Sequence, residues 1–323
     1  MQFTSFTDPA QPIRSAVRTL WDSREFGRTP QRFSDDAVIM DAGEGVMGLR
    51  RFASLRQGVL AAFPDFRSEV EDAICVPTDQ GILASVRMIC TATHGRNGPY
   101  GAASQMPLAF RTMLLVEETG GVIRAAWQIR DQGALLRTTG NDPEGWARTH
   151  PGQTRTDPMP TLQDGNPWAN SYADILRSVM EGDLAILYRG FDPGAELFLP
   201  GGHIGSGPEA ADVFWLSLRA ALPSAEFAIT AAIGADDPLC PPRVALHWQL
   251  TGVHDGWGLF GAPSGRTLTV QGVSQAEFGP NGLRREWTVL DELAVWQQIT
   301  AASAAPGQER DRVISFSTCP ASG

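Results

Sequence analysis

Residues 48–64, GLRRFASLRQGVLAAFP, recur without a gap as residues 207–223, GPEAADVFWLSLRAALP, at an offset of 207 − 48 = 159. Apolar residues at helical spacing, with a proline just beyond the last turn, predict a helix with a fixed end in each. The correspondence then continues at an offset of 160: His94 with His254, Tyr100-Gly101-Ala102 with Phe260-Gly261-Ala262, Ser104 with Ser264, Trp127 with Trp287, Asp131 with Asp291. The one-residue change falls where "CVPTDQG" faces "ADDPLCPP", both rich in turn formers. Loops absorb such insertions cheaply. A repeat of this length is a whole domain copied once. The expected organisation is domain 1 over 1–145, a Pro/Gly/Asp-rich linker over 146–164, domain 2 over 165–303 and a tail over 304–323, in which "VISF" could dock.

The 323 residues suit two domains of ordinary size, and 42% hydrophobic against 19% charged residues is a globular composition. A formal net charge of −10 with no Lys/Arg run argues against nucleic acid and anionic lipid as partners. The N-terminal MQFTSFTD lacks a signal peptide's basic and apolar regions, and no run is long enough to span a membrane. A cytoplasmic protein is expected. Cys75, Cys90, Cys240 and Cys319 show no C-x-x-C spacing, so neither a zinc site nor a disulfide framework is expected, only reduced and mostly buried thiols.

Each copy opens with a helical pattern: Ile13, Val17, Leu20 and Trp21 in the first, and Ile175, Leu176, Val179 and Met180 in "SYADILRSVMEGDLAILYRGF" of the second. A short strand follows ("AVIMD", "ELFLP"), then the repeated helix. The remainder, "FRSEVEDAIC", "GILASVRMICTATH", "PLAFRTMLLVE" and "VIRAAWQIRD", alternates like a half-buried antiparallel sheet, with "EETGG" and "FGPNG" as hairpin turns. Helices first and antiparallel strands after make each copy an α+β domain.

The ordered set "GLRRF…AAFPDF…TATHG…GPYGA…WQIRDQGALLRTTG" resembles the SnoaL-like polyketide cyclase family of the NTF2-like superfamily. The second copy, "GPEAADVFW…AALPSAEF…LTGVHDG…REWTVLDELAVWQQI", resembles it too. The resemblance implies an α+β cone in each half, a curved antiparallel sheet wrapped around helices with an apolar pocket. It also implies that the halves pair through their sheets as an intramolecular pseudo-dimer, with room for further homo-oligomerisation. Family cyclases close rings by intramolecular aldol condensation without metal or organic cofactor, using an aspartate on the last strand; that position maps onto Asp131 and Asp291. No cofactor is therefore expected, and the partner is a small-molecule substrate or ligand. A cyclase-like lyase or isomerase is one reading; a non-catalytic binding module and a scaffold filled by side chains are the others.

The residues carry their own argument. In a strand, Trp127, Ile129 and Asp131 share a face, as do Trp287, Val289 and Asp291, so each carboxylate should be partly desolvated and its pKa raised toward the range of a general base. The other role open to both is to cap the following helix. His94 and His254 end a strand, where each could orient a substrate or bond a turn. His203, His247 and His254 could in principle gather around a metal, but the spacing of the last two on one strand argues against a metal site. Trp287, Trp127, Phe260, Tyr100 and His203 are the further substrate-binding candidates, and Phe63 and Phe110 are core residues. Arg111, or its counterpart Gln271, would lower the aspartate's pKa if it faced it. The second copy keeps "APSGR" and "REW", close to the family pattern, where the first has "AASQMP" and "AAW". The expected active half is therefore the second, around Asp291.

Overall fold

A computed structural model describes residues 10–22, 32–41, 45–152 and 161–301. The expected docking of "VISF" and the placement of Cys319 lie outside them. The first half runs α1 (Ala10–Asp22), β1 (Phe33–Asp41), β2 (Gly45–Gly48), α2 (Leu49–Ala62), β3 (Arg67–Thr78), β4 (Gly81–Thr93), β5 (Pro107–Thr119), β6 (Val122–Arg130), α3 (Gln132–Thr138) and α4 (Pro143–Thr149). The second runs β7 (Leu162–Gln163), α5 (Pro167–Glu181), α6 (Ala185–Gly190), β8 (Phe191–Leu199), a 3-10 turn (Pro200–Gly202), β9 (His203–Ser206), α7 (Gly207–Ala221), β10 (Glu226–Ala235), β11 (Arg243–Val253), β12 (Thr267–Gly279), β13 (Gly282–Leu290) and α8 (Glu292–Thr300). No helix among the described residues is long and apolar enough to cross a membrane.

The sheets are ordered β2-β1-β6-β5-β4-β3 and β7-β10-β11-β12-β13-β8-β9. Their central strands pair antiparallel, as the alternating segments require, and the Gly120-Gly121 turn between β5 and β6 holds both glycines at positive φ (62° and 87°), the conformation a two-residue hairpin demands. The all-antiparallel expectation fails once in the first half and twice in the second, where the short β7 also runs parallel to β10. β1 runs parallel to β6 and β8 parallel to β13, because the chain returns to that edge through the helix and strands between them.

Four further expectations change. The first helical pattern of the second copy is two helices, since Gly182, at φ 101°, caps α5 before α6 starts. The rim loop "PGGHIGSG" is a 3-10 turn leading into strand β9. The segment read as an extended linker holds the end of α4, which Asp142 caps and Pro143 starts, and the short strand β7. Of the thiols, Cys90 is buried, Cys75 half-buried and Cys240 exposed, so burial is less general than expected.

Strand parity divides each sheet into two apolar faces. In the first half Ala84, Val86, Met88 and Cys90 of β4, with Leu114 and Ala126, pack on Val17, Trp21, Phe52 and Leu60 of the helices. The intervening residues face the other half. Ile74, Val76, Leu83 and Leu115 pack with Ala231, Ile233 and Ala245; Met113 and Ile129 pack with Val273, Trp287 and Val289. The two sheets thus bury each other, at about 1.5–3 kcal/mol for each large side chain fully withdrawn from water. Polar groups fix their alignment. Arg87 donates to Gln275 Oε1 (2.6 Å), Gln275 Nε2 donates to Ser85 Oγ (3.0 Å), and Ser85 Oγ lies 3.3 Å from His247 Nε2. Arg87 also lies over the Trp287 ring, 3.6 Å from its centroid, and pairs with Glu71 at 3.1 Å.

Inside the second half, Gly272 of β12 sits against the indole of Trp248, and a Cβ there would lie 2.1 Å from the ring. Gly272→Ala is expected to cost about 1–3 kcal/mol by overpacking, read as a lower midpoint in denaturant unfolding; an unchanged midpoint would mean that the Trp248 ring can move away freely.

Candidate functional site

Asp131 follows the last residue of β6 and lies on the face that meets the second half. It is 4% exposed. Its Oδ1 accepts from Ala134 N (3.0 Å), capping α3, and from Gly201 N (3.0 Å); Oδ2 accepts from Gly201 N (2.9 Å) and Gly202 N (3.2 Å). Burial pushes this carboxyl above its ordinary range and nearby Glu292 adds to that, while the three backbone N–H groups oppose it. The geometry is that of a helix cap extended into a clamp on the Pro200–Gly202 turn. The Arg111 backbone carbonyl accepts from Asp131 N (2.9 Å), but its guanidinium donates to Glu71 (2.9 and 3.0 Å). Arg111, Asp131, Phe198 and His203 line a small cleft of about 250 Å³ between the halves.

Asp291 repeats the arrangement in part. It is 2% exposed, caps α8 by accepting from Ala294 N (3.0 Å), and donates its own N–H to Gln271 O (3.2 Å). The loop of the first half that corresponds to Pro200–Gly202 includes residues outside the described set. Among the described residues there is no group of three or more His, Cys, Asp or Glu able to hold a metal. His247 is sealed between the sheets, and burial pushes it down to about 3. His203 is exposed at the start of β9, and His254 lies beyond the end of β11.

His94 and His254 are buried and act on their own loops. Each has Nδ1 near a serine hydroxyl, Ser104 Oγ at 3.2 Å and Ser264 Oγ at 3.1 Å, and each fixes a loop through its backbone N–H and carbonyl. Burial lowers the pKa of His254, with Asp255 opposing. Trp287 stacks on Phe198 (5.5 Å, 7°) between the halves, and Trp127 packs in the same interface. Phe260 is core, edge-on to Trp296. Tyr100 alone among the expected substrate-binding residues lines the larger cavity of the first half.

The opposite parity of β13 holds what the sequence reading passed over. Glu286 is 0% exposed and faces the helices of its own half. A hydrogen-bond series ends on it: Trp248 Nε1 to Ser274 Oγ (3.0 Å), Ser274 Oγ to Thr288 Oγ1 (2.8 Å), and Thr288 Oγ1 to Glu286 Oε1 (2.7 Å). An indole N–H can only donate, which makes Ser274 Oγ the acceptor at that end, and at the other end the Thr288 hydroxyl donates to Oε1. The proton of the neutral acid therefore belongs on Oε2. Glu286 Oε2, Tyr172 OH of α5 and Trp215 Nε1 of α7 are buried, and none completes a hydrogen bond among the described residues. Tyr172 and Trp215 lie beside the carboxyl and, like Thr288, favour its ionised form, but burial outweighs them and pushes Glu286 up to about 7. A buried acid with one committed and one uncommitted oxygen is equipped to pass a proton near neutral pH. Its signal was a charged residue inside an apolar strand, where the first copy has Ala126.

The first half carries different chemistry. A cavity of about 780 Å³ opens between α1, α2, α4 and α8. On its wall Asp41 takes Gln128 Nε2 (2.7 Å) and Arg130 (2.8 Å).

The sequence profile described as SnoaL-like polyketide cyclase matches residues 11–139 and again 174–299. No curated protein matches the chain. Among solved structures, IdmH of Streptomyces antibioticus is 18% identical, covering 42% of this chain and 99% of its own, with a TM-score of 0.36. A SnoaL-like polyketide cyclase of Agrobacterium tumefaciens is 19% identical over 42% of this chain and 98% of its own, TM-score 0.34. TsrD of Streptomyces laurentii is 16% identical over 44% of this chain and 99% of its own, TM-score 0.35.

Asp131→Ala leaves the N–H groups of Ala134, Gly201 and Gly202 without their acceptor and is expected to cost roughly 2–4 kcal/mol. Asp291→Ala removes the cap at Ala294 and should cost less, about 1 kcal/mol for the cap. Urea unfolding of both variants checks the order; equal losses would contradict the clamping role of Asp131.

Proposed function

The chain belongs to the SnoaL-like polyketide cyclase family in both halves, and from that premise we propose that it is an acid–base enzyme acting on a small, largely apolar carbonyl compound. The reaction is an aldol-type cyclisation, an isomerisation or a related step, carried out in the second half by Glu286 in place of Asp291. One observation carries this reading: the Thr288 hydroxyl commits Oε1 and leaves Oε2 of a buried acid poised at about 7. As a carboxylate, Oε2 takes the proton α to the carbonyl. Tyr172 OH and Trp215 Nε1, the buried donors beside the carboxyl, stabilise the negative oxygen of the enolate as it forms. The protonated acid then returns its proton to the product. Asp131 and Asp291, engaged with backbone N–H groups, hold helices α3 and α8 in place.

Because Glu286 is fully buried, a substrate reaches it only when α5 or α7 moves away from the sheet. The same burial favours a second reading, in which the second half is a filled scaffold and Glu286 a structural acid. Deuterium uptake at the α-carbon of 2-tetralone in heavy water, followed by NMR, separates the two. Protein-dependent exchange should rise with pH through about 7, as the base ionises, and should fall by roughly a hundredfold or more in Glu286→Gln. Exchange that survives this change, or that Asp291→Asn abolishes instead, overturns the assignment, and no protein-dependent exchange supports the scaffold.

Stability gives an independent check. An acid whose folded pKa is raised contributes stability that is complete below its unfolded pKa and is lost as pH rises through the folded one. For Glu286 that window runs from about 4.5 to about 7. Glu286→Gln should therefore raise the melting temperature relative to wild type at pH 8 and leave it little changed at pH 4.

A further inference from the structure

The cavity of about 780 Å³ in the first half has no part in the chemistry assigned to Glu286, and its lining has a character of its own. Among the described residues, three guanidinium groups, Arg51, Arg56 and Arg130, and one carboxylate, Asp41, border it, with Asp22 close enough to Arg56 to act on its charge. Asp41 is already engaged by Arg130 and Gln128. Arg56 is buried enough that loss of water lowers its pKa, with the charge of Asp22 opposing. A concentration of cations in a chain of net charge −10 runs against the background field. It is the arrangement that receives an anion.

The remaining walls are aromatic. Tyr100 and Trp146 stack at 6.1 Å and 15°, and Trp146 lies flat against His150 at 3.9 Å and 5°. Trp21 stands edge-on to Phe52 at 5.5 Å. Trp21 lines the cavity and is 2% exposed, yet its indole Nε1 has no hydrogen-bond partner among the described residues. A buried donor of this kind costs free energy until an acceptor reaches it. The walls are composite: Trp146 and His150 come from the end of the first half, and Leu293 and Gln297 from α8 of the second. Gln297 Nε2 donates to His150 O (2.9 Å) and holds that junction closed.

We propose that this cavity is a binding site for a planar aromatic carboxylate, separate from the proton-transfer site of the second half. The carboxylate is held by the guanidinium groups and the ring by Tyr100, Trp146 and Trp21. The volume lies within the range of small-molecule sites and exceeds what a two-ring compound needs.

Titration calorimetry of the whole chain with 2-naphthoate and with uncharged 2-naphthamide tests the charge requirement without any substitution. The acid is expected to bind at least about tenfold more tightly than the amide, and less tightly as salt is added. Arg51→Gln, at an exposed position, should weaken the acid several-fold and the amide little. Trp146→Ala should weaken both. Glu286→Gln should change neither. An amide that binds as well as the acid, binding of neither, or loss of binding in Glu286→Gln in place of Arg51→Gln would each overturn the proposal.

Discussion

Each sheet in this protein has two apolar faces, and only one of them can be covered by its own helices. Ala84, Val86 and Met88 of β4 go to the helices; Leu83 beside them needs another cover, and so do Leu115 and Ile129. The cover is the equivalent face of the other half. An isolated half would expose Ile74, Leu115, Met113 and Trp127 to water together, a patch of the kind that drives association. Joining two copies on one chain supplies the partner without the translational cost of bringing two molecules together.

That arrangement decides which residues are available for chemistry. The parity that carries Trp287, Val289 and Asp291 is used up in holding the halves together. The other parity, with Glu286 and Thr288, looks into the space beneath α5 and α7. In the first half the corresponding positions are Ala126 and Gln128, and the polar groups sit nearer the mouth, where Asp41 meets Arg130. The two halves therefore keep one scaffold and place their charges at different depths in it.

The fold was legible because its evidence is spread over the whole chain: the gapless match of residues 48–64 with 207–223, the displaced turn, and the ordered motifs found twice. The elements missed were local. Gly182 ends a helix that periodicity alone would continue, and Asp142 with Pro143 starts one that runs on into an apparent linker. The site was less legible for a definite reason. Alternation shows that Trp127, Ile129 and Asp131 share a face, but when both faces of a strand are apolar it does not show which face looks inward. Reading the aspartate as facing the pocket of its own half, and not the cleft between the halves, followed from treating the sheet as half exposed. Glu286 lay one residue before the tryptophan that drew attention, and its significance depends on Tyr172, Trp215, Trp248 and Ser274, which only the folded chain brings around it.

The junction between the sheets has an evolutionary reading as well. In a symmetric homodimer every substitution appears twice, once on each side of the axis, so a new side chain must suit both places. Register matches Arg87 with His247 and Leu115 with Gln275 as equivalent positions of the two halves. The buried contact of Arg87 with Gln275 is thus mirrored by a histidine and a leucine. Two identical chains could not encode that asymmetry, since they would carry the arginine–glutamine contact on both sides of the axis. Duplication within one gene released each half from its twin, and a lineage could then alter one site while inheriting the other unchanged.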